Sequence, residues 1–199
     1  VAAPARHGRD VLRRAAQAGR LSGATLIPDL AAPLLCLVAS GGFGVQSRLR
    51  PELAEPAVDR GWRLAVTLTP TAARWCAATD ELARLQALTD LPVRSVGRLP
   101  GERSPYGTAD RYLFVPATAN SLAKLALGIA DNQALTQLCE AVGTPGVPVL
   151  VRPQAGAAHR GHPAFETHLT TLRAAGVHVS DADPAQPWTS LLDEVANLP

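Results

Sequence analysis

The sequence predicts an α/β fold, a doubly wound parallel sheet with helices on both faces. Two observations carry this reading. Apolar runs that do not alternate with polar residues, at 34–39 (LLCLVA), 64–68 (LAVTL) and 147–151 (VPVLV), read as strands covered on both sides. Helical stretches separate these runs and no long hairpin signal joins them, so the connections are right-handed crossovers between parallel strands.

The elements follow in chain order. Residues 1–32 stand apart as an arm with five arginines in the first twenty positions and no continuous apolar stretch of the secretory kind; residues 10–18 form a short amphipathic helix ended by Gly19. The domain spans residues 33–199. Its first strand, 34–39, lies between Pro33 and Ser40-Gly41-Gly42. A helix over 48–59 has to accommodate Pro51 and Pro56, the second of which should kink or end it. The strand at 64–68 leads into an amphipathic helix over 71–88, with Ala72, Trp75, Cys76, Leu82, Leu85 and Leu88 on its apolar side. A short strand is expected at 93–96, and a Pro/Gly-rich loop follows at 99–108. The next strand, 112–115, gives way to helical sequence from 121 to about 142. The strand at 147–151, a helix over 163–175, a short strand at 177–179 and a closing helix over 188–198 complete the chain.

Composition bounds the function. The chain has 199 residues, 47% apolar and 18% charged, enough for one core-bearing domain and too apolar for a disordered chain. No window approaches the length of an apolar membrane span, so no membrane partner is expected. Nineteen basic against 17 acidic residues give a formal charge of +2, which supplies no single-signed field for nucleic acid. Cys36, Cys76 and Cys139 form no CxxC pair and have no adjacent histidine, which points to a reduced, cytoplasmic protein without a metal site.

In an open parallel sheet, ligands bind where loops leave the carboxyl ends of the strands. The loops at 40–47, 69–71, 116–121 and 152–162 are therefore the expected site. Ser40-Gly41-Gly42-Phe43-Gly44 presents backbone amides to an anion ahead of a helix, although it matches neither GxGxxG nor a Walker A loop, and glycines there also simply make turns. Thr69 and Thr71 offer hydroxyls at the same edge, and Thr71 is equally an ordinary helix N-cap.

The segment at 116–132, PATANSLAKLALGIADN, resembles the PASANT stretch, continuing AKxAxGIADN, of the flavin-dependent cysteine decarboxylases. That family includes phosphopantothenoylcysteine decarboxylase and enzymes acting on the C-terminal cysteine of peptides. The segment aligns without a gap, includes the chain's only lysine, Lys124, and carries Thr118 and Ser121 as hydroxyl-for-hydroxyl exchanges. The resemblance implies a flavodoxin-like, Rossmann-like sheet binding FMN at a subunit interface, in homotrimers able to assemble further. Gly41, Gly42 and Phe43 would hold the FMN phosphate, joined by the hydroxyl of Thr69. Ala117, Thr118, Ala119, Asn120 and Ser121 would lie against the isoalloxazine, with Asn120 orienting the substrate carboxylate. An uncharged amide suits that task because it donates to the carboxylate until carbon dioxide leaves, while the flavin carries the redox step.

Three departures shape the expected chemistry. The family histidine stands eight residues before the aspartate of its WAD sequence, and the same count back from Asp110 reaches Glu102. The PxMNxxMW clamp is replaced: Pro153 stands nine residues before His162-Pro163-Ala164, but Ala155, Gly156, His159 and Arg160 replace Met, Asn, Met and Trp. The CGxxGxGRM segment, whose cysteine returns electrons in the phosphopantothenoylcysteine enzymes, is missing, so the product should remain an enethiol. The candidates to replace the histidine as base are His159, Glu102 and Tyr106, each within loops that need only bring it to the thiol; His159 also reads as a plain exposed loop residue, and His162 as the start of a helix. The expected function is FMN-dependent oxidative decarboxylation of the C-terminal cysteine of a ribosomally made precursor peptide. The alternative is a non-catalytic FMN-binding regulatory or interaction protein of the same fold. A flavin prenyltransferase is disfavoured because the 116–121 loop lacks a basic cluster for a prenyl phosphate.

Overall fold

The computed structural model describes residues 31–182 and 186–199. The expected helix at 10–18, and the arm up to residue 30, lie outside the described residues. Five strands, β1 (Leu34–Ala39), β2 (Arg63–Leu68), β3 (Arg111–Ala117), β4 (Val149–Pro153) and β5 (His178–Val179), form one sheet in the order β2-β1-β3-β4-β5, with every pairing parallel. The helices are α1, running through Val45–Leu49, a π-helical turn at Arg50–Ala54 and Glu55–Asp59; α2 (Pro70–Ala77); α3 (Glu81–Gln86); α4 (Ala119–Ala126); α5 (Gln133–Val142); α6 (Ala157–Arg160); α7 (Ala164–Ala174); and α8 (Ser190–Ala196).

The unalternating apolar runs are strands with two buried faces. In β1, Cys36 and Val38 face Leu122, Leu135, Leu138 and Leu169 of α4, α5 and α7, whereas Leu35 and Leu37 face Leu49, Leu53, Ala72 and Leu192 of α1, α2 and α8. All five residues from Leu35 to Ala39 are fully buried, so an alternating pattern would have placed polar groups in a core. One strand, β2, lies on one side of β1 and three, β3 to β5, on the other, and the reversal of strand order opens a crevice at the carboxyl ends of β1 and β3.

The predicted elements are found with five adjustments. The helix expected over 48–59 begins at Val45, after Gly44 at φ 88°, and passes both prolines: Glu55 N–H bonds to Arg50 O, five residues back, and the π turn absorbs Pro51 without ending the helix. The helix expected over 71–88 is two helices, parted where Asp80 takes φ 58° and the Thr79 hydroxyl donates to the carbonyls of Trp75 and Cys76. The strand expected at 93–96 reduces to one bridge, in which Arg94 N–H donates to Val66 O and Leu68 N–H to Arg94 O. The helical stretch at 121–142 is interrupted: Gly128 turns at φ 68°, and the Asn132 side chain accepts from the amides of Ala134 and Leu135 to start α5. The strand expected at 147–151 is shifted to Val149–Pro153.

Candidate functional site

The crevice is built by three loops that hydrogen bonds tie together. Ser40, 1% exposed, ends β1. Its N–H donates to Pro116 O at 3.0 Å, and its hydroxyl donates to the same carbonyl at 2.7 Å while accepting the Thr118 N–H at 2.9 Å. From β4, Gln154 N–H donates to Ala117 O at 2.8 Å and its side-chain Nε2 to Phe43 O at 2.7 Å. The glycine loop after β1, the turn after β3 and the start of the loop after β4 are thus one hydrogen-bonded unit.

Close approach explains the glycines. A Cβ on Gly41 would lie 2.4 Å from Thr71 Cγ2, and one on Gly42 would lie 3.1 Å from the Pro116 ring and 3.3 Å from Thr118 Cγ2. Among the described residues, the amides of Gly41, Phe43 and Gly44 have no protein acceptor. Successive free amides in a glycine loop make a concavity that favours an anion. Thr69, 6% exposed, stands beside this loop: its N–H donates to Ala39 O, and its hydroxyl accepts weakly from Ala72 N at 3.4 Å. The N-cap of α2 is therefore Thr69, and Thr71 sits one residue inside the helix with its methyl against Gly41.

On the other wall, α4 starts at Ala119. Ala117 is buried, Thr118 and Ala119 are half-buried, and the Thr118 and Ser121 hydroxyls are 3.2 Å apart. Asn120 is exposed, and among the described residues its side-chain amide has no protein partner. Phe43 is 81% exposed on the facing loop. The structure thus gathers Gly41, Gly42, Phe43, Thr69 and the whole 117–121 turn at one crevice. The rest of the 116–132 segment is structural: Lys124 pairs with Asp131, and Asn132 caps α5.

The candidate bases fall in different places. His159 lies exposed on α6, in the loop after β4, and no hydrogen bond joins it to the 116–121 turn. Glu102 is exposed in the coil before β3, where its carboxylate accepts from Leu99 N–H. Tyr106 points into the protein: its hydroxyl accepts from Gln137 Nε2 and lies 3.8 Å from Cys36 Sγ, and burial drives its pKa far above the ordinary phenol range. Burial also pushes the Cys36 thiol up to about 12, so neither interior group is a proton acceptor near neutrality. His162 begins the approach to α7, its Nδ1 accepting from Ala164 N–H. A cavity of about 610 Å³ flanks α5 beneath residues 94–108 and is lined by none of the crevice residues.

A family model described as Flavoprotein matches residues 34–198. The chain belongs to the flavoprotein family. This flavoprotein is 29% identical to the FMN-dependent cysteine decarboxylase TvaF from thioviridamide biosynthesis, with a TM-score of 0.61 over 82% of the chain and 96% of that structure. The FMN-dependent cysteine decarboxylase SpaF, at 23% identity and TM-score 0.59 over 83% of the chain and 95% of that structure, shows the same fold. Among curated proteins, the flavoprotein is 30% identical over 145 residues to the coenzyme A biosynthesis bifunctional protein of Bacillus subtilis, covering 72% of the chain and 34% of that protein. It is 39% identical over 71 residues to a cysteine/cysteine sulfinic acid decarboxylase of an unknown prokaryotic organism, covering 36% of the chain and 19% of that protein. The chain therefore spans about a third or less of the curated relatives it matches. FMN is the cofactor of this flavoprotein, and the free amides and glycine-only approaches at 41–44 suit its phosphate. The sequence reading missed Ser40 and Gln154; the one signal for Ser40 was a hydroxyl lodged between a buried run and two glycines. Among the described residues no helix is long and apolar enough to cross a membrane.

Proposed function

We propose that this flavoprotein is an FMN-dependent decarboxylase of the C-terminal cysteine of a precursor peptide, releasing carbon dioxide and leaving an enethiol. The observation that carries the reading is the exposed amide of Asn120 at the head of α4, unpartnered among the described residues, across one crevice from a glycine loop with three amides equally free among those residues. The likeness to TvaF over nearly all of that chain supports it.

In this reading Gly41, Gly42, Phe43 and Thr69 hold the FMN phosphate, and Ala117, Thr118, Ala119 and Ser121 line the ring. Bound FMN supplies the two-electron oxidation of the cysteine side chain, so that the peptide loses two hydrogens together with carbon dioxide. Asn120 Nδ2 donates to the substrate carboxylate and fixes it without adding a charge that would hold it back. Ser40 keeps the two walls in register. His159, exposed on the loop beyond Gln154, is the residue proposed to take the thiol proton, because Tyr106 is committed to the interior and Glu102 to its own coil. The protein is further proposed to act as a homotrimer or higher homo-oligomer in the cytoplasm.

Incubating the FMN-loaded protein with a cysteine-ending peptide and reading product mass tests this. The expected result is loss of one carbon dioxide and two hydrogens. A flavin-loaded protein that leaves the peptide intact overturns it in favour of a non-catalytic flavoprotein.

A further inference from the structure

The cavity of about 610 Å³ beside α5 falls within the size range of small-molecule sites, roughly 300–1,000 Å³, and shares no residue with the FMN crevice. Arg94, whose main chain bridges to β2, lines it. The Arg94 side chain is half-buried, and its Nη2 is buried without a hydrogen-bond partner among the described residues. Among those residues the guanidinium enters no ion pair either. The neighbouring neutral groups are already engaged with one another. Gln137 Nε2 donates to the Tyr106 hydroxyl, and Gln137 Oε1 accepts from the Thr67 hydroxyl. The two acidic residues that line the cavity do not answer the charge: Glu102 is exposed with its carboxylate accepting the Leu99 N–H, and Glu140 is exposed on α5.

We propose that this cavity is a second ligand site, for a small monocarboxylate with a hydroxylated body, whose carboxylate pairs with the Arg94 guanidinium. A guanidinium that has lost water and gained no acceptor costs stability, and a planar carboxylate restores charge-assisted hydrogen bonds to it. Charge limits the ligand to one carboxylate. Beyond Arg94 the lining carries a single further cation, Arg98, against Glu102 and Glu140, so a second negative group would meet net repulsion. The wall sets the body. Ser104, Thr108, Gln133 and Thr136 line the cavity with hydroxyls and an amide, which favour a ligand able to exchange hydrogen bonds along its length. The site lies outside the FMN crevice, and the inference holds whether or not the protein decarboxylates a peptide.

The test is a calorimetric titration of the FMN-loaded protein with gluconate, with its neutral amide gluconamide, with succinate and with inorganic phosphate. Gluconate should bind, and each of the other three should bind at least about tenfold more weakly, since the guanidinium contact is a hydrogen bond between charged groups. Arg94→Met keeps the length of the side chain and removes its charge. It should weaken gluconate binding at least about tenfold and leave FMN affinity unchanged. Its melting temperature without ligand should equal or exceed that of the parent protein, whereas a merely structural arginine would lower it on removal. Thr136→Phe, which fills the cavity from α5, should weaken gluconate binding to the same degree and decides the matter if Arg94→Met does not fold. Absence of gluconate binding, affinity unchanged in either variant, or succinate or phosphate binding as tightly as gluconate overturns the site. None of these outcomes touches the decarboxylase reading, which rests on the peptide assay.

Discussion

The Ser40 hydroxyl accepts the Thr118 amide at 2.9 Å while donating to Pro116 O at 2.7 Å, so one buried oxygen fixes the glycine loop against the turn that carries Asn120. The two walls of an FMN site are thereby set relative to each other before any ligand arrives. Ser40→Ala leaves the half-buried Thr118 N–H without an acceptor, which costs about 1 kcal/mol of stability. Because it also frees the walls to shift, it should weaken FMN binding about tenfold, read by quenching of flavin fluorescence. Thr118→Val, which keeps the amide, should bind FMN more tightly than Thr118→Pro, which removes it at a φ of −69° that proline adopts readily.

The contact between Gly41 and Thr71 makes a second prediction. With a Cβ placed 2.4 Å from Thr71 Cγ2, Gly41→Ala must push the glycine loop off the head of α2. Overpacking of this kind costs about 1–3 kcal/mol. FMN affinity should fall at least as much as in Ser40→Ala. Adding Thr71→Ser, which deletes the methyl, should recover part of both losses in thermal melts and flavin titrations; absence of any recovery would show that the contact is not the cause.

Much of this was legible before the structure. The sheet could be read because β1, β2 and β4 are buried on both faces, which leaves short unalternating apolar runs bounded by Pro and Gly. The crevice could be located because strand ends and glycines mark it. Other features escaped because they depend on partners distant in sequence. Arg94 forms its single bridge only because β2 ends beside it, and the breaks at Asp80 and Gly128 are backbone turns inside sequences with unbroken helical periodicity. Ser40 becomes a joint only when β3 lies next to β1, 76 residues away in sequence. The residues 153–160 read as a departure from a family pattern, and nothing local announced that Gln154 would reach back to Phe43.

Asn120 is exposed and, among the described residues, has no protein partner, so its removal should separate chemistry from stability. Asn120→Ala should melt within about 0.5 kcal/mol of the parent protein, as surface substitutions do. Turnover of a cysteine-ending peptide should fall by at least about 100-fold, since a lost donor to a charged group costs roughly 1.5–3 kcal/mol and the carboxylate also loses its orientation. Asn120→Asp should be worse than Asn120→Ala, because a second carboxylate repels the first. Equal turnover in all three proteins would remove Asn120 from the mechanism.

The last prediction concerns acid. Glu52 in α1 pairs with Arg48 at 2.7 Å and accepts the Trp188 N–H at 2.8 Å, while the Arg48 guanidinium stacks 4.7 Å from the Trp188 ring. These contacts bind the C-terminal segment to the helix that follows the glycine loop, and the Trp188 ring lies 3.5 Å from the position a Gly44 Cβ would take. The hydrogen bond from Arg48 holds the Glu52 carboxyl below its ordinary pKa, against the opposing effect of burial and with help from the Trp188 amide. A carboxyl whose pKa is lower folded than unfolded stabilises the fold fully above the unfolded value, about 4.3, and loses that contribution as pH falls through the folded value. The segment should therefore loosen as pH falls below the ordinary carboxylate range, with Trp188 emission moving to longer wavelength as its ring meets water. Glu52→Gln keeps an acceptor but cannot ionise, so it should be less stable than the parent at pH 7 and should approach it in acid. If the stability difference between the two proteins is the same at pH 7 and pH 3.5, the carboxylate is not what tethers the C-terminal helix.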